Sequence, residues 1–105
     1  MHSRFHIYTM AELDDGFFAR ADEHINLSNS QLKDAKMGEV SASMMFGMAR
    51  FNAWVSACGW NNGEEMGNAK EETMKYFLEQ YKVMLEENLN DYIENFDEYM
   101  KNFKG

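Results

Sequence analysis

Three features of the sequence predict an all-α fold: an antiparallel three-helix bundle with a long C-terminal helix, or four helices if that helix is broken. The 105 residues contain no proline, so nothing in the chain forbids long helices. Apolar residues recur at alternating spacings of three and four, which is one face of a helix. The apolar share of 45% and aromatic share of 14% are those of a globular protein. At this length a single helical domain is expected over residues 14–105, after a flexible extension over residues 1–13. Met10 is an alternative native start to Met1.

The first helix is expected to begin at Asp14 or Asp15, where a short acidic side chain caps free amides. Phe18, Ala21, Ile25, Ser28, Leu32 and Ala35 then mark its apolar face, and Gly38 is expected to close it in the left-handed conformation. The second helix is expected from about Ser41 to Cys58, ended by Gly59. Met44, Met45, Phe46, Met48, Phe51, Trp54 and Val55 leave little of it polar, which predicts a central element buried on several sides. Gly47, inside it, either admits a close backbone neighbour or is a weakness of about 1 kcal/mol.

Gly59 to Asn68 reads as the one clear loop. From Glu64 to Phe103 the chain is helical again, and unbroken it would extend about 60 Å at 1.5 Å per residue. A compact domain of this size has a radius of gyration near 13 Å. Either the chain bends near Asn88-Leu89-Asn90, or the stripe of Leu89, Tyr92, Ile93, Phe96, Tyr99, Met100 and Phe103 packs on a partner. The reading adopted is a continuous helix and a symmetric homodimer, with that stripe as the self-association face.

Charge and composition exclude several functions. Eighteen acids against ten bases give a net charge of −8, which repels phosphate backbones and anionic lipid, and no basic patch is visible. Val40 to Gly63 holds one charge, Arg50, at the centre of the only stretch apolar enough for a membrane. Arg at a helix centre costs about 2.5–3.5 kcal/mol on insertion scales. Neither nucleic acid nor membrane is therefore expected as a partner. The single cysteine, Cys58, excludes an internal disulfide and fits a reducing, cytoplasmic setting. At the end of an apolar helix it reads as a buried, inert thiol.

Chemistry-bearing groupings are missing. A di-iron bundle needs a carboxylate three residues before a histidine, but position 21, before His24, is Ala. His2 and His6 have helical spacing in a segment without helical support. The acids Glu86, Glu87, Asp91, Glu94, Asp97 and Glu98 lack the loop glycine and alternating oxygens of a calcium site and read as a solvated face. No phosphate-binding glycine motif is present. No cofactor, metal or catalytic residue is assigned.

Arg50 and Asn52 stand out in the apolar second helix. If buried, Arg50 needs a carboxylate, with Glu79 or Glu86 as candidates. The functional alternative is a small polar pocket formed by Arg50, Asn52 and Tyr81. Met44, Met48 and Met84 read as core, or as a groove for a partner helix.

The segments RADEHINLSNSQ (Arg20–Gln31), GEVSASMMFGMARFNAW (Gly38–Trp54) and YFLEQYKVMLEENLNDYIENF (Tyr76–Phe96) resemble the DUF3144 family of bacterial proteins of unknown function. The resemblance covers about Asp14 to Phe96. It implies a bacterial, cytoplasmic, helical protein without an assigned activity, and it supplies no catalytic residues. The leading functional expectation is a non-enzymatic interaction module that forms a homodimer and binds a protein partner not identifiable from sequence. The alternative is a small-molecule-binding protein or weak enzyme built around Arg50 and Asn52.

Overall fold

The computed structural model describes residues 13–104. Among the described residues there are five helices and no strand: α1 (Phe17–Gln31), α2 (Met37–Ala57), α3 (Gly63–Asn68), α4 (Lys70–Glu94) and α5 (Phe96–Lys104). The all-α class is as the sequence predicts, while the number of helices exceeds the three or four expected. Residues 1–12 of the expected extension, with His2, His6 and Met10, lie outside the described residues. Two compact units are present, with α1–α3 in the one that ends at Ala69 and α4–α5 in the one that begins at Lys70.

Helix α1 starts later than expected because Asp14 caps a turn rather than the helix. Its Oδ1 accepts the Gly16 amide at 2.9 Å, and the carboxylate takes the Arg20 guanidinium at 2.8 and 3.0 Å. A side chain at position 16 would crowd that path, since a Cβ there would sit 2.8 Å from Arg20 Nη1. The helix also ends sooner, at Gln31. Ser28, Asn29 and Ser30 are weak helix formers, and the Ser30 hydroxyl donates back to the Leu27 carbonyl at 2.6 Å. The chain then unwinds through three i→i−3 bonds from Leu32, Lys33 and Asp34.

Gly38 does not close α1. It lies in the first turn of α2, and no described glycine has a positive φ. Glu39 starts α2 four residues earlier than expected, at Met37, because its Oε1 accepts the Lys36 amide at 2.9 Å and places negative charge at the helix N-terminus. Helices α1 and α2 pack together, with the Ser28 hydroxyl 3.4 Å from the Met44 sulfur. Of the face expected on α1, Ala21, Ser28 and Ala35 are half-buried, while Phe18, Ile25 and Leu32 stand exposed.

The expected loop over Gly59–Asn68 contains α3. Asn62 Oδ1 accepts the Glu65 amide at 2.9 Å, and Glu65 Oε1 accepts the Asn61 amide at 2.9 Å. The first bond satisfies one of the amides that a helix start leaves free, and the second ties Glu65 to the residue before the cap.

The third expected helix is interrupted, at Asn95 rather than at Asn88–Asn90. Asn88 donates to the Met84 carbonyl at 2.7 Å without ending the helix. Asn95 makes the same kind of bond to the Asp91 carbonyl at 3.0 Å and a second one to the Asp91 carboxylate at 2.9 Å. Two competing bonds at one residue weaken the regular ladder where one does not. The main chain still bridges the joint, through Asn95 N to Asp91 O and Tyr99 N to Asn95 O, both at 3.0 Å.

Candidate functional site

Helix α2 was expected to be the buried centre of the molecule, and the structure corrects that. Its one buried residue is Val40, 5% exposed. Phe46 is 71%, Phe51 62% and Trp54 61% exposed, and Met44, Met45, Met48 and Val55 are exposed as well. Among all described residues only Val40 and Ala69 are buried apolar residues. Scattered apolar residues on a surface are ordinary, but a contiguous apolar helix face marks an interaction site.

Two hollows flank the middle of this helix. The larger, about 650 Å³, lies between α2 and α3; the aromatic rings of Phe46, Phe51 and Trp54 line it, together with Gly47, Arg50 and Met66. The Phe51 and Trp54 rings touch, with centroids 5.6 Å apart and tilted by 36°. The smaller, about 370 Å³, lies at the α1–α2 turn. Ala35, Val40 and Ser43 line it, with Gln31, Asp34 and Glu39 around them. Asn62, by starting α3, sets Met66 into the first hollow.

Arg50 lines the larger hollow and is the one ionisable residue there. It is exposed, as are Glu79 and Glu86, so the premise of a buried cation seeking a carboxylate does not hold. Asn52 is half-buried on α2 and does not line the hollow, and Tyr81 stands exposed on α4. Cys58, expected to be buried, is exposed at the end of α2, because the large side chains before it carry no cover. Met66 was missed by sequence reasoning, although the Asn62–Glu65 spacing signals the helix that positions it.

In the other unit, Leu89, Tyr92, Ile93, Phe96, Tyr99 and Phe103 are exposed and Met100 is half-buried. Tyr99 reaches back across the Asn95 joint. Its hydroxyl donates to the Asp91 carboxylate at 3.0 Å, and its ring lies 4.8 Å from that of Tyr92. The hydrogen bond to Asp91 holds the Tyr99 phenol pKa above its ordinary value, with the negative charge adding to the effect. The same logic runs the other way at Asp14, whose pKa the hydrogen bond from Arg20 holds below the usual carboxylate range.

Among the described residues no group of three or more His, Cys, Asp or Glu could hold a metal ion, and no helix is long and apolar enough to cross a membrane.

No curated protein matches the chain. A similar solved structure is the NMR structure of the protein NB7890A from Shewanella sp, which is 43% identical. It covers 86% of this chain and 96% of its own, with a TM-score of 0.72. Residues 17–93 match the family described as "Protein of unknown function (DUF3144)". That match takes in α1 to α3 and nearly all of α4, and with the Shewanella likeness it means that the chain belongs to the DUF3144 family.

Proposed function

We propose that this protein is a non-enzymatic interaction module of the cytoplasm, that residues 14–105 act as one domain, and that it works as a homodimer. The observation that carries the reading is the exposure of Met44, Met45, Phe46, Met48, Phe51, Trp54 and Val55 on α2, where only Val40 is buried. A helix apolar on all sides is normally a buried one. Phe46, Phe51 and Trp54 alone offer roughly 400 Å² at 150–250 Å² per aromatic side chain, about half of what each partner contributes to a standard interface. The exposed stripe from Leu89 to Phe103 is a second apolar face for the same assembly or for a further protein partner.

The test is the solution mass, by light scattering on a sizing column, of the full chain from about 1 to 100 µM. The protomer mass is 12.3 kDa. A mass of twice that value across the range supports the reading. A protomer mass throughout overturns it.

A second reading, in which the protein binds a small molecule, is favoured by the size of the α2–α3 hollow, which lies in the usual range of ligand pockets. Arg50, which lines it, would take an anionic group on an otherwise apolar ligand. Protection of Arg50 resonances on titration with a fatty acid, with the protein remaining at protomer mass, would favour this alternative.

A further inference from the structure

We infer that the apolar stripe of α4 and α5 docks a basic amphipathic helix of another protein, whose Lys or Arg side chains reach Glu86 and Asp97 at the stripe's edge. The inference rests on the interaction reading above, not on the homodimer, and adds the chemistry of the partner.

The stripe is continuous. At about 100° per residue, Leu85, Tyr92, Ile93, Phe96 and Phe103 lie within about 60° of the Leu89 direction. The count carries through the joint, because main-chain bonds from Asn95 to Asp91 and from Tyr99 to Asn95 bridge it. Leu89 is 53%, Ile93 71% and Phe103 67% exposed. From Leu85 to Phe103 the stripe runs for about 27 Å. Leu85, Leu89, Tyr92 and Phe96 recur at the i, i+4, i+7 and i+11 positions through which one helix face meets another.

Charge selects the partner. Residues 83–100 hold six acids and no Lys, Arg or His. Asp91 is engaged by Asn95 and Tyr99, and Glu98 by Lys101. Among the described residues Glu86, Glu87, Glu94 and Asp97 form no ion pair, and all four are exposed. Glu86 and Asp97 point about 60–80° away from Leu89, both to the same side, so they form one edge of the stripe. A second copy brings the same acids and no base over this span, and a phosphate backbone or anionic lipid is repelled by it. A cationic helix meets the edge with opposite charge while its apolar side covers the stripe, which sets its orientation as well as its encounter rate. Glu86 and Asp97 stand about 16 Å apart along the axis, close to three turns. A partner lying alongside therefore meets both when its own bases recur at i and i+11.

The experiment titrates the full chain, labelled for NMR, with a synthetic helix of leucine and lysine about 18 residues long, which matches the stripe. Its leucines form one face and two of its lysines stand at i and i+11. Amide shifts are expected on residues 85–103. Glu86→Lys with Asp97→Lys is expected to weaken binding at least tenfold. Asp22→Lys with Glu23→Lys, an equal change of charge on α1, is expected to leave it within about threefold. A control peptide with serine for every leucine is expected to bind the parent at least tenfold more weakly. Absence of shifts on residues 85–103 at 1 mM peptide overturns the inference. So does an α1 reversal as damaging as the reversal at the stripe, or a serine peptide that binds as well as the leucine one. Light scattering on the same samples keeps the dimer reading separate. A chain of protomer mass that binds the peptide overturns the dimer and leaves this inference standing, and a dimer that does not bind it does the reverse.

Discussion

Trp54 is exposed in the isolated chain, yet the proposed assembly makes it behave as a core residue. Its exposed 61% corresponds to about 90–150 Å² of an aromatic side chain. At about 25 cal/mol per Å², covering that area is worth about 2–4 kcal/mol per copy, and a two-fold axis counts it twice. Trp54→Ala is therefore expected to cost the dimer at least about 4 kcal/mol, a loss of about three decades in affinity. In a chain that stays single the substitution removes the Phe51 ring contact, about 0.5–1.5 kcal/mol. It also recovers a few tenths through the better helix propensity of alanine. The net effect there is at most about 1 kcal/mol.

Thermal melting at two concentrations separates these cases. At about 2.1 cal/mol/K per residue, two copies of a 105-residue chain unfold with an entropy of about 0.4 kcal/mol/K. A tenfold dilution is worth about 1.4 kcal/mol to a dimer, so the parent Tm is expected to fall by about 3 °C per decade of dilution. Trp54→Ala is expected to melt at least 8 °C lower at a common concentration and to lose most of that dilution dependence at micromolar levels. A parent Tm independent of concentration, together with a Trp54→Ala shift below about 5 °C, would refute the reasoning, because Trp54 would then be as exposed in solution as in one chain.

Three further outcomes follow from local geometry. Asn62→Ala removes the acceptor of the Glu65 amide and is expected to cost about 1 kcal/mol, read as faster amide exchange at Glu65 and Met66 while α1 stays protected. Tyr99 has a pKa raised by its bond to Asp91, so its contribution is fully present below about pH 10 and is lost as pH rises through the raised value. Tyr99→Phe is expected to remove that alkaline step in the α5 helix signal. Asp14 has a pKa lowered by Arg20, so the turn that it holds before α1 is intact above the ordinary carboxylate pKa and is lost as pH falls through the lowered one. A carboxyl-carbon titration of Asp14 by NMR with a midpoint at or above 3.9 would contradict this.

Fold class was legible because it depends on local spacing and on the absence of proline, and both survive any tertiary arrangement. Helix ends were less legible, because each is decided by one side chain choosing between acceptors. Asp14 turns to the Gly16 amide and Arg20 instead of the helix amides. Glu39 reaches the Lys36 amide and starts α2 before Gly38 could stop α1. Asn88 and Asn95 look alike in sequence, and only the second acid bond at Asn95 distinguishes the joint. The capping pair Asn62–Glu65 could have been read directly, but the surrounding glycines and asparagines spoke for a loop.

The burial of α2 was misread for a physical reason that bears on function. Periodicity reports which residues avoid water, and it is silent on whose atoms cover them. A helix apolar all round has the same sequence whether it is the centre of its own chain or half of a shared core.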